Sequence, residues 1–181
     1  MPEIEIRPAI ADDILVITKL EHNYETRYVW QMQFNQKEDG NNITTNFRRV
    51  RLPRTFRVDY PRSPNNLTAD WTERSGLLVA VHGGEAIGYA SLALNIAPST
   101  TWVTDLVVAQ KLRRKGIGSA LLLAALEWGS NHASRYLVLE MQPKNYPAIQ
   151  LAQKFGFDFC GYNDRYYTNN DIGIFFAKSL R

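Results

Sequence analysis

Val107-Val108-Ala109-Gln110-Lys111-Leu112-Arg113-Arg114-Lys115-Gly116-Ile117-Gly118-Ser119-Ala120 is the stretch on which the fold reading rests. An apolar run stops, a basic segment with two glycines comes next, and Ile117, Leu121, Leu122, Ala125 and Trp128 then recur at helical spacing. The pattern reads as strand, tight loop, helix. Glycines let the chain turn so that successive N–H groups converge on an anion. The helix start adds partial positive charge, and Arg113, Arg114 and Lys115 add full charges. A pyrophosphate fits such a loop, but so does a basic strand-to-helix turn that binds nothing, and spacing alone leaves both open. It is not a Walker loop, since no Gly-Lys-Ser/Thr closes it, and Gly-x-Gly-x-x-Gly fails at Leu121.

Outward from the loop, Leu77–Val81 and Ala86–Asn95 read as strands around the turn His82-Gly83-Gly84-Glu85, and Trp102–Val108 as a third. Downstream, Tyr136–Met141 is a strand, Pro147 suits the first turn of a helix ending near Gly156, and Phe157–Cys160 and Ile172–Ala177 close as strands. Upstream, Ile4–Arg7 alternates like a strand, and Asp12 and Asp13 ahead of an apolar run predict a helix over 11–23. Tyr28–Phe34 and Ile43–Leu52 flank the turn chemistry of Lys37–Asn42, which predicts an extra hairpin near residues 26–52. Pro53, Pro61 and Pro64 are expected to break up the segment beyond Leu52, with 63–68 as exposed loop. A meander and then strand–helix–strand–helix means an α/β domain: one mixed, mostly antiparallel sheet flanked by helices, filling residues 1–181.

The composition bounds the function. With 181 residues and 45% hydrophobic content, the chain can bury one sizeable core. Lys+Arg 21 against Asp+Glu 18 leaves +3, too near zero for a chain that coats nucleic acid. The run Arg48, Arg49, Arg51, Arg54 and Arg57 therefore reads as a solvated face or an attractor for carboxylate-bearing acceptors. Cys160 alone makes no intramolecular disulfide and no Cys-rich zinc site, and His22, His82 and His132 show no metal-ligand spacing, so no metal is expected. The N-terminus lacks the basic start and apolar run of a secretory signal, and no apolar stretch approaches the ~20 residues that span a bilayer. A reducing cytoplasm is the expected compartment.

Arg113-x-x-Gly116-x-Gly118 resembles the Arg/Gln-x-x-Gly-x-Gly/Ala signature of the GNAT superfamily of acetyl-CoA-dependent N-acetyltransferases. Asn145-Tyr-Pro-Ala148-Ile-Gln-Leu-Ala152-Gln-Lys-Phe-Gly156-Phe157 resembles that family's second motif, Asn-x-x-Ala-x-x-x-Tyr-x-x-x-Gly-Phe, in the same order. The likeness spans about residues 76–178. It implies that the backbone of Leu106, Val107 and Val108 pairs with the pantetheine arm of acetyl-CoA. Arg113, Arg114, Lys115, Gly116, Ile117, Gly118 and Ser119 would hold the pyrophosphate, and the Asn145 amide would reach the pantetheine. A strand whose neighbour diverges has backbone groups to satisfy, and an amide-bearing arm supplies them by strand-like addition.

Acyl transfer to an amine needs a proton acceptor, oxyanion stabilisation and a proton for the leaving thiolate. The resemblance makes Glu140, ending the strand before the second motif, the expected base, with Asp105 as its rival. The family's acid Tyr is replaced here by Ala152, so Tyr166 or Tyr167 is expected to substitute, with Tyr162 and solvent as further alternatives. The expected function is acetyl transfer from acetyl-CoA to a primary amine, with a non-catalytic acetyl-CoA-binding or sensing module as the alternative. The acceptor would be a small molecule or a peptide. The hairpin and C-terminal tail resemble streptothricin-type acetyltransferases. The Glu140–Asn145 spacing and Tyr166-Tyr167 resemble ribosomal-protein alanine acetyltransferases. No nucleic-acid or membrane partner is expected, and a homodimer is left open.

Overall fold

Residues 3–180 are described by a computed structural model. Among them, β1 (Glu5–Pro8), β4 (Gly76–His82), β5 (Glu85–Ala93), β6 (Thr100–Val108), β7 (Tyr136–Met141), β9 (Gly173–Ser179) and β8 (Asp158–Asn163) stand in that order in one seven-stranded sheet. Every neighbouring pair is antiparallel except β6 and β7, which run parallel. The expected mixed sheet is present. Its strands lie where alternation or continuous apolar runs put them, and the β4–β5 turn uses Gly83 and Gly84, both at positive φ (58° and 83°), as a two-residue hairpin requires.

Helices cover both faces. On one, α3 (Ile117–Asn131) and α4 (Tyr146–Lys154) bring Ile117, Leu121, Leu122, Ala125, Ile149 and Ala152 onto Leu78, Ala90, Val103, Leu137 and Phe176. On the other, Ile14 and Ile17 of α1 (Ala11–Thr18) and Leu67 of α2 (Asn66–Asp70) cover Leu77, Val79, Tyr89 and Val107. Asp13 anchors the start of α1, accepting from the Ile10 N–H (2.8 Å) and from Arg7 (2.6 and 3.0 Å).

Three expectations are corrected. α1 stops at Thr18 rather than 23, and His22 beyond it is buried with its ring held by the Leu20 carbonyl. The 63–68 loop contains part of α2, because Leu67 is buried against the sheet. The hairpin, β2 (Tyr24–Gln36) with β3 (Ile43–Val58), is longer than 26–52 and runs through Pro53. Pairing jumps from Tyr28–Arg51 to Thr26–Phe56, so residues 52–55 bow out of the ladder. Proline has no N–H to lose there. The ribbon packs through Trp30 on Phe159 and Phe176 and through Tyr28 on Tyr146, and the Trp30 N–H donates to Pro143 O (2.9 Å).

Candidate active site

The parallel pair β6–β7 holds only from Thr100–Tyr136 to Val103–Leu139. Beyond that the strands part, and a cavity of about 720 Å³ opens between them. β6 remains bound to β5 on its other edge as far as Gly88–Val108, so its cavity-side edge from Leu106 to Val108 has no neighbouring strand and is open to an extended ligand except at the Val108 carbonyl, which accepts from Arg113 (2.9 Å). A bulge sits at the parting: Ser91 faces Asp105 and Leu92 faces Val103, which leaves Thr104 as an extra residue. The extra residue switches the side-chain phase, so Val103, Leu106 and Val108 join the α3/α4 face while Val107 joins the α1 face.

At the end of β6 a 3-10 turn (Gln110–Leu112) leads into the basic loop. Arg114 and Gly116 both take left-handed backbone conformations, φ 65° and 90°, folding the loop back to the start of α3. The Ala120 N–H donates to Gly116 O (3.0 Å) to begin the helical ladder, so the N–H groups of the first turn have no acceptor within the helix and point out of its start. Arg114, Gly116, Gly118, Ser119 and Asn145 line the cavity with Leu106, Val107 and Val108. Asn145 caps α4 by accepting from the Ala148 N–H (3.2 Å), which leaves its amide NH₂ for other use. Three of the side chains expected at the phosphates have other surroundings. The Arg113 guanidinium is consumed by three backbone carbonyls, donating to Val108 (2.9 Å), Asn23 (2.7 Å) and Glu21, and so ties the loop after α1 to β6. The Ile117 side chain is core, and Lys115 is exposed outside the cavity lining.

Glu140 and Asp105 meet across the parting strands, both buried and both lining the cavity. Glu140 accepts from Arg62 on Oε1 and from the Tyr166 hydroxyl on Oε2 (2.9 Å). Burial raises its pKa above the usual carboxylate value, and Arg62 and Tyr166 act against that rise. Asp105 accepts from Tyr60, from Thr104 (3.2 Å) and from Arg74 (3.4 Å), a set of partners that marks it as a structural anchor more than a free base. Tyr167 is buried in the cavity wall with Arg62 over its ring (5.0 Å), and burial pushes its hydroxyl pKa up. Tyr166 is held by Glu140, and the Tyr162 hydroxyl pairs with Thr45 of the ribbon (2.8 Å). Ala152 is fully buried and outside the cavity lining. Among the described residues, no cluster of His, Cys, Asp or Glu could hold a metal, and no helix is long and apolar enough to cross a membrane.

A family model described as the acetyltransferase (GNAT) family matches residues 47–157. The chain belongs to the GNAT acetyltransferase family. Streptothricin acetyltransferase of Streptomyces lavendulae is 31% identical over 84 residues, 46% of this chain and 44% of that protein, so the matched part spans less than half of that relative. The crystal structure of nourseothricin acetyltransferase superposes with a TM-score of 0.79 at 22% identity, over 98% of this chain and 99% of that one. A Bacillus anthracis (strain Ames) structure described as a streptothricin acetyltransferase, in complex with acetyl coenzyme A, gives 0.73 at 18%, over 98% and 99%.

Several residues of this GNAT chain's cavity carry no local sequence signal. Arg62 and Tyr60 sit in the proline-broken stretch, Tyr24 starts the ribbon, and His22 lies just beyond α1, yet all four line the same cavity as Glu140. The Tyr24 hydroxyl donates to Gln142 (2.6 Å), whose amide donates to Asp171 (2.6 Å), and Lys144 pairs with Asp171 (2.8 Å). His22 accepts from or donates to Tyr89 (3.0 Å), and burial lowers its pKa. A proline-flanked arginine facing carboxylates on two neighbouring strands could have been suspected only once the sheet order was known.

Proposed function

We propose that this chain transfers the acetyl group of acetyl-CoA to a primary amine by direct attack on the thioester. One observation carries the reading: a single cavity joins the open edge of β6 and the basic loop at the start of α3 to the buried Glu140 carboxylate. The Leu106–Val108 edge would pair with the pantetheine amides, Arg114, Gly116, Gly118 and Ser119 would surround the pyrophosphate, and the Asn145 amide would steady the arm. The attacking amine loses a proton to Glu140, directly or through water, as its nitrogen bonds to the acetyl carbon. The carbon–sulfur bond then breaks, and Tyr167 in the cavity wall would supply the proton that the leaving sulfur takes up.

The acceptor end is walled by Tyr24, Tyr60, Pro61 and Tyr167. Such a wall suits an aminated small molecule, and the streptothricin and nourseothricin enzymes among the relatives make an aminated antibiotic the first acceptor to try. A second reading, acetyl-CoA binding without turnover, is supported by Ala152 and by the engagement of both Glu140 oxygens. Calorimetry with acetyl-CoA, and then thiol release across aminated antibiotics, small amines and peptides, separates the two. Binding with acceptor-dependent thiol release is expected. Binding with no release from any amine supports the second reading, and absence of binding refutes both.

A further inference from the structure

Arg62 enters the cavity from the segment between β3 and α2 and lands at the point where β6 and β7 part. The last paired residues are Val103 and Leu139. The next residue on each strand is what the guanidinium touches: Nη1 donates to Thr104 O (3.0 Å), and Nη2 pairs with the Glu140 carboxylate. Nη1 also lies 3.9 Å from Asp105, and the group rests over the Tyr167 ring. A planar fork with several fixed donors can satisfy a strand carbonyl and a carboxylate together, which a point-charge ammonium does less well.

We propose that Arg62 is the positioning residue of this site, holding Glu140 ionised and aimed into the cavity at the apex of the strand opening. The proposal rests on the reading of Glu140 as the base. The groups facing Glu140 are few. Arg62 comes from the pre-α2 segment, Asp105 from β6, and Tyr166 and Tyr167 from the segment between β8 and β9. Burial and Asp105 favour the protonated carboxyl, which cannot accept a proton from an amine. Arg62 is the cation among these groups, and without it no positive charge would oppose the upward push of burial and Asp105 on the Glu140 carboxyl.

The test reads Glu140 itself and needs no acceptor. Protein carrying ¹³C-carboxyl glutamate is titrated by NMR, and the Glu140 signal is assigned by its loss in Glu140→Gln. In Arg62→Met the Glu140 titration is expected to move up by at least about one pH unit, the size of an adjacent opposite charge's effect. Acetyl-CoA affinity by calorimetry should stay near that of the parent. Arg62→Gln carries the same measurement should the Met variant fail to fold. With an amine identified by thiol release, the acidic limb of the rate profile should shift upward by the same amount. A Glu140 titration unmoved in a folded neutral variant overturns the proposal. Full activity in Glu140→Gln overturns the base reading, and the proposal with it. Loss of activity in Glu140→Gln beside an unmoved titration overturns the proposal alone.

Discussion

Gly88 of β5 lies opposite Val108, and its bare Cα is what lets β6 approach. A Cβ built there would stand 2.8 Å from Val107 O, 3.3 Å from Val108 Cα and 3.4 Å from Leu121 Cδ1. The first two neighbours are backbone, so no side chain can swing aside, and β6 must retreat by about half an ångström to reach ordinary contact. Overpacking of this kind costs about 1–3 kcal/mol. Reduced freedom of the unfolded chain in Gly88→Ala returns about 0.4–1 kcal/mol of that. The net loss is at most about 2.6 kcal/mol, and at about 2–4 °C per kcal/mol for a chain of this size Tm should fall by up to about 10 °C. The displaced backbone is also the edge proposed to bind pantetheine, so acetyl-CoA should bind more weakly. Thermal unfolding by circular dichroism and calorimetric titration check the two effects. A variant that melts at or above the parent temperature and binds acetyl-CoA equally well would show that close approach at Gly88 does not set the position of β6.

Other perturbations act on single parts of the site. Gly118→Asp should abolish acetyl-CoA binding in calorimetry while the fold survives, because its Cβ has ordinary room (Leu106 Cδ2 at 3.5 Å) and only the charge is out of place beside a phosphate. Tyr167→Phe should lower kcat with acetyl-CoA affinity retained, whereas Tyr166→Phe, which removes a hydrogen bond from Glu140, should shift the acidic limb of the pH profile upward; equal and pH-independent losses in steady-state assays would contradict both. The Tyr166 hydroxyl, raised by burial to about 12, remains protonated across the assay range and so remains a donor. Arg7 holds the Asp13 carboxyl below the usual range, so its contribution to stability is complete above the unfolded carboxyl pKa of ~4 and is lost as pH falls through the lower, folded value. Asp13→Asn should cost about 1–3 kcal/mol at pH 7, and the difference from the parent should shrink in acid unfolding below pH ~4.

The order of strands and helices from Gly76 onward, and the tight, basic strand-to-helix turn at 113–119, were legible in the chain because both arise within a few residues. Alternation, a glycine at a left-handed position and charge ahead of a helix are local physics. Glu140 and Asn145 were legible for the same reason, one ending a strand and the other capping the next helix. Pro53 misled because a proline's cost depends on whether its missing N–H faces a ladder partner, and a bulge in the ribbon removed that partner. The partners of Arg113 were not legible because a basic residue in a basic loop can turn inward, and three carbonyls from β6 and the segment after α1 hold its guanidinium. The phase of β6 was set by one extra residue at Thr104, which only pairing with β5 defines. Arg62 reaches Glu140 across 78 residues of sequence separation. Sequence periodicity records which face of an element is buried, but a buried carboxylate takes whatever cation the fold brings to it, and which one arrives was decided by where β6 and β7 part.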